Sequence, residues 1–301
     1  MKSFILKFLL FSFIFFLFDK FFLLVLNYNP QIQVDNRLEF VLKGEMNKDI
    51  IVLGSSRGAR DIIAGQLQKE TGLSAYNLCY PGSDIEFHEF IFRSLLKFNQ
   101  PPKIIILPID DPEELLASES ITFRYEILYP FMIYDQVLQE MIKRKEKEKL
   151  PAELLVLYRM NKSNFDLKQK QFSPYDSLMT CGSMPANFKS ERDFQFNSDS
   201  IRYNREKEVP EKILAFQKLI TGCIENNIKL IVLFPPNFKN HNIIFEKRIK
   251  SLLPGQVYTY IYNRDNPVYK DKSSYFDESH LILEYSKIFT TEVSSFISTL
   301  K

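Results

Sequence analysis

Five short apolar runs, separated by polar or amphipathic segments, constrain the fold of this chain more than any other feature. All but the second are rich in β-branched residues, and the first four are continuous rather than alternating. Strands covered on both faces of a parallel sheet have this pattern. The predicted strands are Asp49–Gly54, Ser74–Cys79, Lys103–Leu107, Lys229–Phe234 and Val257–Tyr262.

The segments between these runs have apolar residues at helical spacing. Helices are predicted over Ser56–Thr71, Asp84–Phe98 and Pro210–Asn226. Strands that alternate with helices form right-handed crossovers, so the sequence predicts an α/β fold, a doubly wound, mostly parallel five-stranded sheet flanked by helices. Functional sites in such sheets collect at the carboxyl ends of the strands.

The connection between the third and fourth strands, Asp110–Glu208, has about a hundred residues and is far longer than usual. Its part Tyr134–Lys149 is predicted to be helical, and residues 161–204 are polar and irregular. We expect an insertion at 110–208 that lies over the strand ends and caps a substrate site. An insertion with only a packing role is the alternative.

The stretch Phe4–Leu26 is an apolar run of 23 residues, close to the ~20 residues that span a bilayer. Lys2 and Lys7 precede the main run, as expected for an end that stays in the cytoplasm. No small-x-small cleavage motif follows. The sequence therefore predicts a transmembrane signal-anchor at 1–27, followed by a domain that faces outward.

Asp19 and Lys20 interrupt this apolar run, where an ionisable residue costs roughly 2.5–3.5 kcal/mol. Either the pair lies near the outer interface, with Phe21–Leu26 in the interfacial layer, or it contacts a partner membrane protein. After the anchor, the sequence predicts a linker at 28–47 and an α/β domain at 48–301.

Composition limits the other classes of function. Residues 1–26 hold three of the 39 basic and one of the 37 acidic residues, so the remainder carries 36 of each sign. This balance gives no indication of a nucleic-acid interface, and Lys143–Lys149, which alternates in sign, is predicted to be a solvated helix face. Three cysteines allow one disulfide bond, such as Cys181–Cys223. No metal-ligand spacing occurs, and we expect neither a metal nor a cofactor.

Two serines follow the first predicted strand. Gly54 allows a tight turn, which leaves Ser55 and Ser56 at the amino end of a helix, where free backbone N–H groups stabilise an anion. A serine there is a candidate nucleophile, although an N-cap is the commoner role. The turn Pro81-Gly82 after the second strand directs a backbone N–H toward the same place.

An aspartate and a histidine stand three residues apart near the carboxyl end. On one face of a helical turn, the Asp277 carboxylate accepts a hydrogen bond from His280. The other ring nitrogen is then free to act as general base toward a serine. Alone, the pair also fits an aspartate cap.

Together these segments resemble the SGNH (GDSL-like) hydrolase superfamily, and its SGNH/flavodoxin-like fold. Gly54–Ser56 stands where that family has Gly-Asp-Ser, Asn77–Gly82 where it has its second block, and Asp277–His280 where it has Asp-x-x-His. The resemblance implies that Ser56 is the nucleophile and that the backbone N–H groups of Ser56 and Gly82 form the oxyanion hole.

The third block departs from the family pattern. The family has Gly-x-Asn-Asp, whereas the third strand here continues into Asp110 and Asp111 without an asparagine. Loss of one oxyanion donor costs ~10²–10³ in rate, so either the backbone donors suffice or the domain is inactive. Arg57 and Arg60 either pair with these aspartates or contact an anionic substrate such as a phosphate or uronate.

Gly-Ser-Ser after an anchor is similar to the branch that modifies cell-envelope polymers, which includes the alginate O-acetylation proteins and the lipoteichoic-acid D-alanylation protein. The resemblance implies a single-pass protein of the bacterial inner membrane. It would be a serine esterase or O-acyltransferase for acyl esters of a cell-envelope glycan, with a membrane acyl-donor protein as partner. The alternative is a catalytically inactive SGNH-like domain that binds glycan or scaffolds an envelope complex. A third interpretation treats the motifs as coincidental caps.

His88 and His241 are predicted to be structural or surface residues.

Overall fold

The computed structural model describes residues 2–109, 111–173, 177–188, 193–196, 203–238 and 241–300. These residues form two compact units. The first unit combines residues 2–42 with 124–171, and the second combines 43–123 with the described part of 172–300. The amino-terminal helix therefore shares a unit with part of the long connection, whereas the sheet belongs to the second unit.

The described residues contain five strands and twelve α-helices. The strands are β1 (Ile50–Val52), β2 (Ala75–Asn77), β3 (Ile104–Pro108), β4 (Lys229–Phe234) and β5 (Tyr258–Ile261). The helices are α1 (Lys2–Tyr28), α2 (Arg37–Leu42), α3 (Ser56–Asp61), α4 (Ala64–Thr71), α5 (Ile85–Phe98), α6 (Tyr125–Leu128), α7 (Asp135–Lys143), α8 (Lys149–Leu154), α9 (Val156–Arg159), α10 (Pro210–Glu225), α11 (Ile243–Leu252) and α12 (Leu283–Thr299).

The sheet of the second unit is parallel throughout, with the strand order β2-β1-β3-β4-β5. The predicted α/β sheet is confirmed, and each strand lies within two residues of its predicted ends. Every residue of β1 and β3 is buried, which explains why these strands read as continuous apolar runs. Because β2 and β3 lie on opposite sides of β1, the chain changes direction there, and a crevice forms at the carboxyl ends of the strands.

The helix predicted over Ser56–Thr71 is interrupted after α3, since Ile62 adopts an extended conformation. The side-chain amide of Asn77 donates to the carbonyl oxygens of Gly58 (2.7 Å) and Ile62 (3.0 Å). The Ser183 hydroxyl donates to the same Ile62 carbonyl at 2.8 Å. These bonds replace the helical partners that the carbonyls would otherwise need, so α3 ends as a short helix held against the end of β2.

Close packing of α3 on the sheet depends on Gly58. A Cβ atom at this position would lie 2.4 Å from Cys79 Sγ and 3.0 Å from Pro108 Cγ. Cys79 follows β2 and Pro108 ends β3, so a side chain at residue 58 would push the amino end of α3, with Ser56, away from the strand ends. All three cysteines are free thiols, and the Cys181–Cys223 bridge left open by the sequence is not formed.

The apolar run of the first unit is the helix α1, which extends beyond its predicted limits of Phe4–Leu26. It belongs to the single segment, Lys2–Ile32, that is long and apolar enough among the described residues to cross a membrane. Asp19 is buried on α1, and its carboxylate accepts the backbone N–H groups of Val156 and Leu157, both at 2.8 Å. The pair Asp19–Lys20 thus has its polar partners inside the chain.

The predicted helix Tyr134–Lys149 is shorter than expected. The helix α7 ends at Lys143, and Lys145 then has a φ of 62°. The chain turns there and begins α8 at Lys149. Residues 174–176, 189–192 and 197–202 lie outside the described residues; in the described part of 161–204, the 3₁₀ helix Lys162–Phe165 is the only helix or strand.

We predict that Gly58→Ala lowers the free energy of unfolding by about 1–3 kcal/mol, the usual cost of forcing atoms into a packed site. Gly65→Ala is the matched control on α4, because its Cβ would lie at ordinary distance, 3.5 Å, from Cys181 Sγ. The control is expected to raise the free energy of unfolding by about 0.4–1 kcal/mol, as alanine restricts the unfolded chain more than glycine. Denaturant titration of both variants measures the difference, and equal changes would contradict the packing argument.

Candidate active site

Three residues predicted from the sequence meet at the carboxyl end of the sheet. Ser56 is the first residue of α3, directly after β1, and His280 lies 224 residues later, between β5 and α12. The His280 Nε2 atom is 2.8 Å from Ser56 Oγ. Its Nδ1 atom is 2.8 and 2.9 Å from the two carboxylate oxygens of Asp277. A hydroxyl, an imidazole and a carboxylate are therefore connected in series by hydrogen bonds.

The predicted helical turn at Asp277–His280 is wrong. These residues form a bend that is closed by a 2.7 Å hydrogen bond from Phe276 N–H to the His280 carbonyl, and α12 begins only at Leu283. Asp277 Oδ1 accepts the backbone N–H groups of Ser279 (2.8 Å) and His280 (3.0 Å). An aspartate that binds nearby backbone donors competes with helix formation. The same carboxylate thus shapes the bend and contacts the imidazole.

The bend is tied to α3 by Asp61, a residue that belongs to none of the sequence motifs. Asp61 Oδ1 accepts the backbone N–H of Leu281 at 3.0 Å, and its side chain is fully buried. Its Oδ2 has no hydrogen-bond partner among the described residues. Burial raises the pKa of Asp61 well above its ordinary value, and the nearby Asp277 charge adds to this effect, while the Leu281 N–H and the Arg57 charge oppose it. Of these two neighbouring carboxyls, Asp61 is the one whose buried surroundings favour the protonated form.

A sequence signal for Asp61 exists in its surroundings. It is the one acidic residue of α3 and directly precedes Ile62 and Ile63. An acidic side chain within a buried apolar stretch requires a partner. The spacing gives no indication that this partner is a backbone N–H 220 residues away.

The protonation states follow from the surroundings of His280 and Asp277, whose side chains are 15% and 34% exposed. Burial lowers the pKa of His280; the hydrogen bond and charge of Asp277 oppose this effect, and the charges of Arg60 and Arg57 reinforce it. Burial acts to raise the pKa of Asp277, but the hydrogen bonds and charge of His280 outweigh it and lower this pKa to about 2. At neutral pH the carboxylate is ionised and the imidazole is neutral. Nδ1 then donates to Asp277, which leaves Nε2 as acceptor for the Ser56 hydroxyl.

The Pro81-Gly82 turn lies beside the end of β1. Tyr80 N–H donates to the Gly54 carbonyl at 2.9 Å, and Gly82 has a φ of 71°, which favours glycine. Neither the Ser56 N–H nor the Gly82 N–H donates to another described residue. Both groups thus remain available as donors, and their pairing in an oxyanion hole stays a prediction.

His88 supports this turn from inside the core. Its Nε2 atom is 2.9 Å from Ser83 Oγ, which in turn lies 2.6 Å from the Tyr80 carbonyl. Burial lowers the pKa of His88 to about 3, and the charge of Lys212 acts in the same direction. In this arrangement the neutral His88 ring donates its Nε2 proton to Ser83 Oγ, and the Ser83 hydroxyl donates to the Tyr80 carbonyl.

The remaining predicted site residues have separate surroundings. The Arg60 guanidinium lies 5.8 Å from the centre of the Phe276 ring. Asp111 caps the short 3₁₀ helix Pro112–Glu114, since its carboxylate accepts the Glu113 N–H at 3.0 Å. Asp110 lies outside the described residues, so its pairing with Arg57 or Arg60 stays a prediction. His241 lines a small pocket after β4, together with Phe234, Pro235, Asn237, Asn242, Phe245, Glu246, Tyr262 and Arg264.

Comparison of the chain with protein-family models, with curated proteins and with solved structures finds no match.

We predict that His280 titrates below the ordinary histidine pKa of 6.5, because burial and two arginine charges disfavour the imidazolium. An NMR titration of the three histidine rings measures this directly, with His280→Asn assigning the signal. Arg60→Gln removes one of the opposing charges and is expected to move the His280 midpoint upward. The His88 ring is the internal control, since it is expected to stay neutral until about pH 3 in both proteins. A His280 midpoint at or above 6.5 would contradict the lowered pKa.

We predict different outcomes for two substitutions of Asp61. Asp61→Ala leaves the buried Leu281 N–H without its acceptor, which costs about 1–3 kcal/mol of unfolding free energy. Asp61→Asn keeps an acceptor oxygen and imitates the protonated carboxyl. The folded pKa of Asp61 is raised above the ordinary value of 3.8. The wild-type protein therefore loses stability as the pH rises from 3.8 to the folded pKa, and the asparagine variant is spared this loss. Denaturation at pH 5 and pH 8 tests both points; a lower stability of the asparagine variant at pH 8 would show that the carboxyl is ionised.

Proposed function

We propose that this chain is a membrane-anchored serine esterase or O-acyltransferase of the SGNH type. The observation that carries the proposal is the contact of 2.8 Å between Ser56 Oγ and His280 Nε2, with Asp277 on the opposite ring nitrogen. A nucleophile, a general base and a group that orients the base occur here in one hydrogen-bonded series. The position of Ser56 at the carboxyl end of a parallel strand supports the same conclusion.

The first half of the reaction forms an acyl-enzyme. Ser56 Oγ attacks the carbonyl carbon of the acyl ester while His280 Nε2 takes the hydroxyl proton. Asp277 stabilises the imidazolium that results. The bond from the carbonyl carbon to the leaving oxygen then breaks, and His280 returns the proton to that oxygen. The backbone N–H groups of Ser56 and Gly82 are the proposed donors to the oxyanion.

The second half transfers the acyl group to another oxygen. Water, or a hydroxyl of an acceptor glycan, gives its proton to His280 and attacks the acyl-enzyme, and Ser56 is released when it takes the proton back. Hydrolysis and transfer use the same residues and differ only in the acceptor that reaches the site. We propose a cell-envelope glycan as the substrate class and the outer face of a bacterial inner membrane as the location. A transferase would also need a membrane protein that delivers the acyl donor.

An inactive SGNH-like domain that binds glycan or scaffolds an envelope complex is the second candidate. The sequence observation that favours it is the lack of an asparagine in the third block, where Asp110 and Asp111 stand. An ionised aspartate near the oxyanion would repel the charge that develops in the transition state. Asp111 has a structural role as a cap, which does not by itself decide between the candidates.

We predict that a fluorophosphonate probe labels the wild-type protein and that Ser56→Ala abolishes the labelling. Ser55→Ala is the matched control one residue away, because Ser55 lies before α3 and makes no side-chain cap; its labelling is expected to persist. His280→Asn removes the general base and is expected to slow labelling by roughly 10²–10⁴-fold. Wild-type protein that stays unlabelled although its fold is intact would favour the inactive binder. Labelling that survives in Ser56→Ala would assign the nucleophile elsewhere.

A further inference from the structure

An exposed apolar surface lies on the first unit, on the segment that runs from α8 to the residues just after the 3₁₀ helix 162–165. We name residues 149–167 the strap. Its exposed side chains are large and apolar: Leu150 (67% exposed), Leu154 (52%), Leu157, Tyr158, Phe165 (49%) and Leu167. Soluble surfaces rarely show so many large apolar side chains within one short segment, so the strap requires a partner.

The strap is bound to one turn of α1. Asp19 accepts the backbone N–H groups at the start of α9, and the Lys20 ammonium donates to the Leu154 carbonyl at 2.5 Å. The rings of Phe22 and Phe165 pack edge to face, with their centres 6.0 Å apart. These contacts place Leu154, Leu157 and Phe165 of the strap beside residues 19–22 of α1.

The length of the exposed part of α1 indicates how deep residues 19–22 lie in a bilayer. Almost all side chains from Ser3 to Phe18 are exposed, and these sixteen residues span about 24 Å at 1.5 Å per residue. The hydrocarbon core of a bilayer is about 30 Å thick. The stretch that is exposed on every face is thus too short to cross it, and residues 19–22, which bind the strap on one face, supply the remaining length. The strap then lies at the boundary between hydrocarbon and headgroups.

Charge around the strap agrees with such a boundary. Residues 147–170 include six basic and three acidic side chains. The basic residues are Lys147, Lys149, Arg159, Lys162, Lys168 and Lys170. Short segments that combine apolar side chains with an excess of lysine and arginine are typical of elements in the membrane interface, where anionic lipid headgroups attract the cations.

We propose that the strap is a membrane-interface element whose leucine and phenylalanine side chains enter the headgroup boundary of the bilayer that α1 spans. The occupant of the apolar surface is lipid, with the basic residues beside anionic headgroups. The inference rests on the membrane anchoring in the proposed function and is independent of the chemistry at Ser56. It assigns a membrane role to part of the connection between β3 and β4.

The absence of tryptophan from the sequence makes a direct test feasible. Full-length Leu154→Trp and Phe165→Trp proteins are reconstituted in vesicles of phosphatidylcholine and phosphatidylglycerol, with or without bromine on the acyl chains. We expect brominated lipid to quench about half or more of the emission at both positions, because apolar faces of interfacial elements lie roughly 5–10 Å into this boundary. Gln139→Trp, at an exposed polar position on α7 of the same unit, is the matched control and is expected to lose little emission. Phe11→Trp reports the anchor itself.

Each outcome of this test decides the proposal. Strong quenching at both strap positions, with little at Gln139→Trp, supports it. Quenching of Phe11→Trp alone overturns it while leaving the anchor in place, and no quenching at Phe11→Trp overturns both. Strap tryptophans that are shielded from bromine and that cross-link to a second copy would assign the surface to a dimer, which also overturns it. Fluorophosphonate labelling of the same samples shows separately whether the proposed chemistry holds.

Discussion

The hydrogen bond from Leu281 N–H to Asp61 is the constraint on which the candidate site depends. Asp61 ends the helix that Ser56 begins, and Leu281 directly follows His280, so this bond joins the two segments that must meet. It operates in a buried setting where an ionised carboxyl would cost several kcal/mol without a cationic partner. Burial favours the protonated form of Asp61, which keeps the acceptor oxygen. The carboxylate that contacts the imidazole is Asp277, whose pKa is lowered to about 2.

The placement of Ser56 also depends on how α3 is held at its other points. Asn77 binds two carbonyls of α3 and its end, and Gly58 allows the helix to contact Cys79 and Pro108 closely. These contacts come from the ends of β2 and β3, which flank β1 in the sheet. The ends of β2 and β3 therefore hold Ser56 in place from both sides of β1. A short helix packed in this manner positions Ser56 more rigidly than a loop would.

The features predictable from the sequence were those that depend on local pattern. Burial of both sheet faces makes the strands continuous apolar runs. A spacing of three positions from Asp277 to His280 brings their side chains together in a bend as well as in a helical turn. The errors arose where a side chain binds backbone groups and so overrides the predicted helix. Asn77 and Ser183 bind carbonyls at the end of α3 and interrupt the helix predicted over Ser56–Thr71, and Asp277 binds the N–H groups of Ser279 and His280 in a bend. Asp61 was missed because its partner is far away in sequence, and no pattern within one helix identifies such a contact.

Asp19 shows how an energetic cost in one segment determines the position of another. From the sequence, an ionisable residue in an apolar helix required either the outer interface or a partner protein. In the structure, the carboxylate accepts two backbone N–H groups of α9 and contacts Lys20, which is compatible with a position near the outer interface. Hydrogen bonds to a charged group contribute about 1.5–3 kcal/mol each, and insertion of such a residue costs roughly 2.5–3.5 kcal/mol. Two bonds therefore offset the cost, which explains why residues from the middle of the chain fold with the amino-terminal helix rather than with the sheet whose strands they connect.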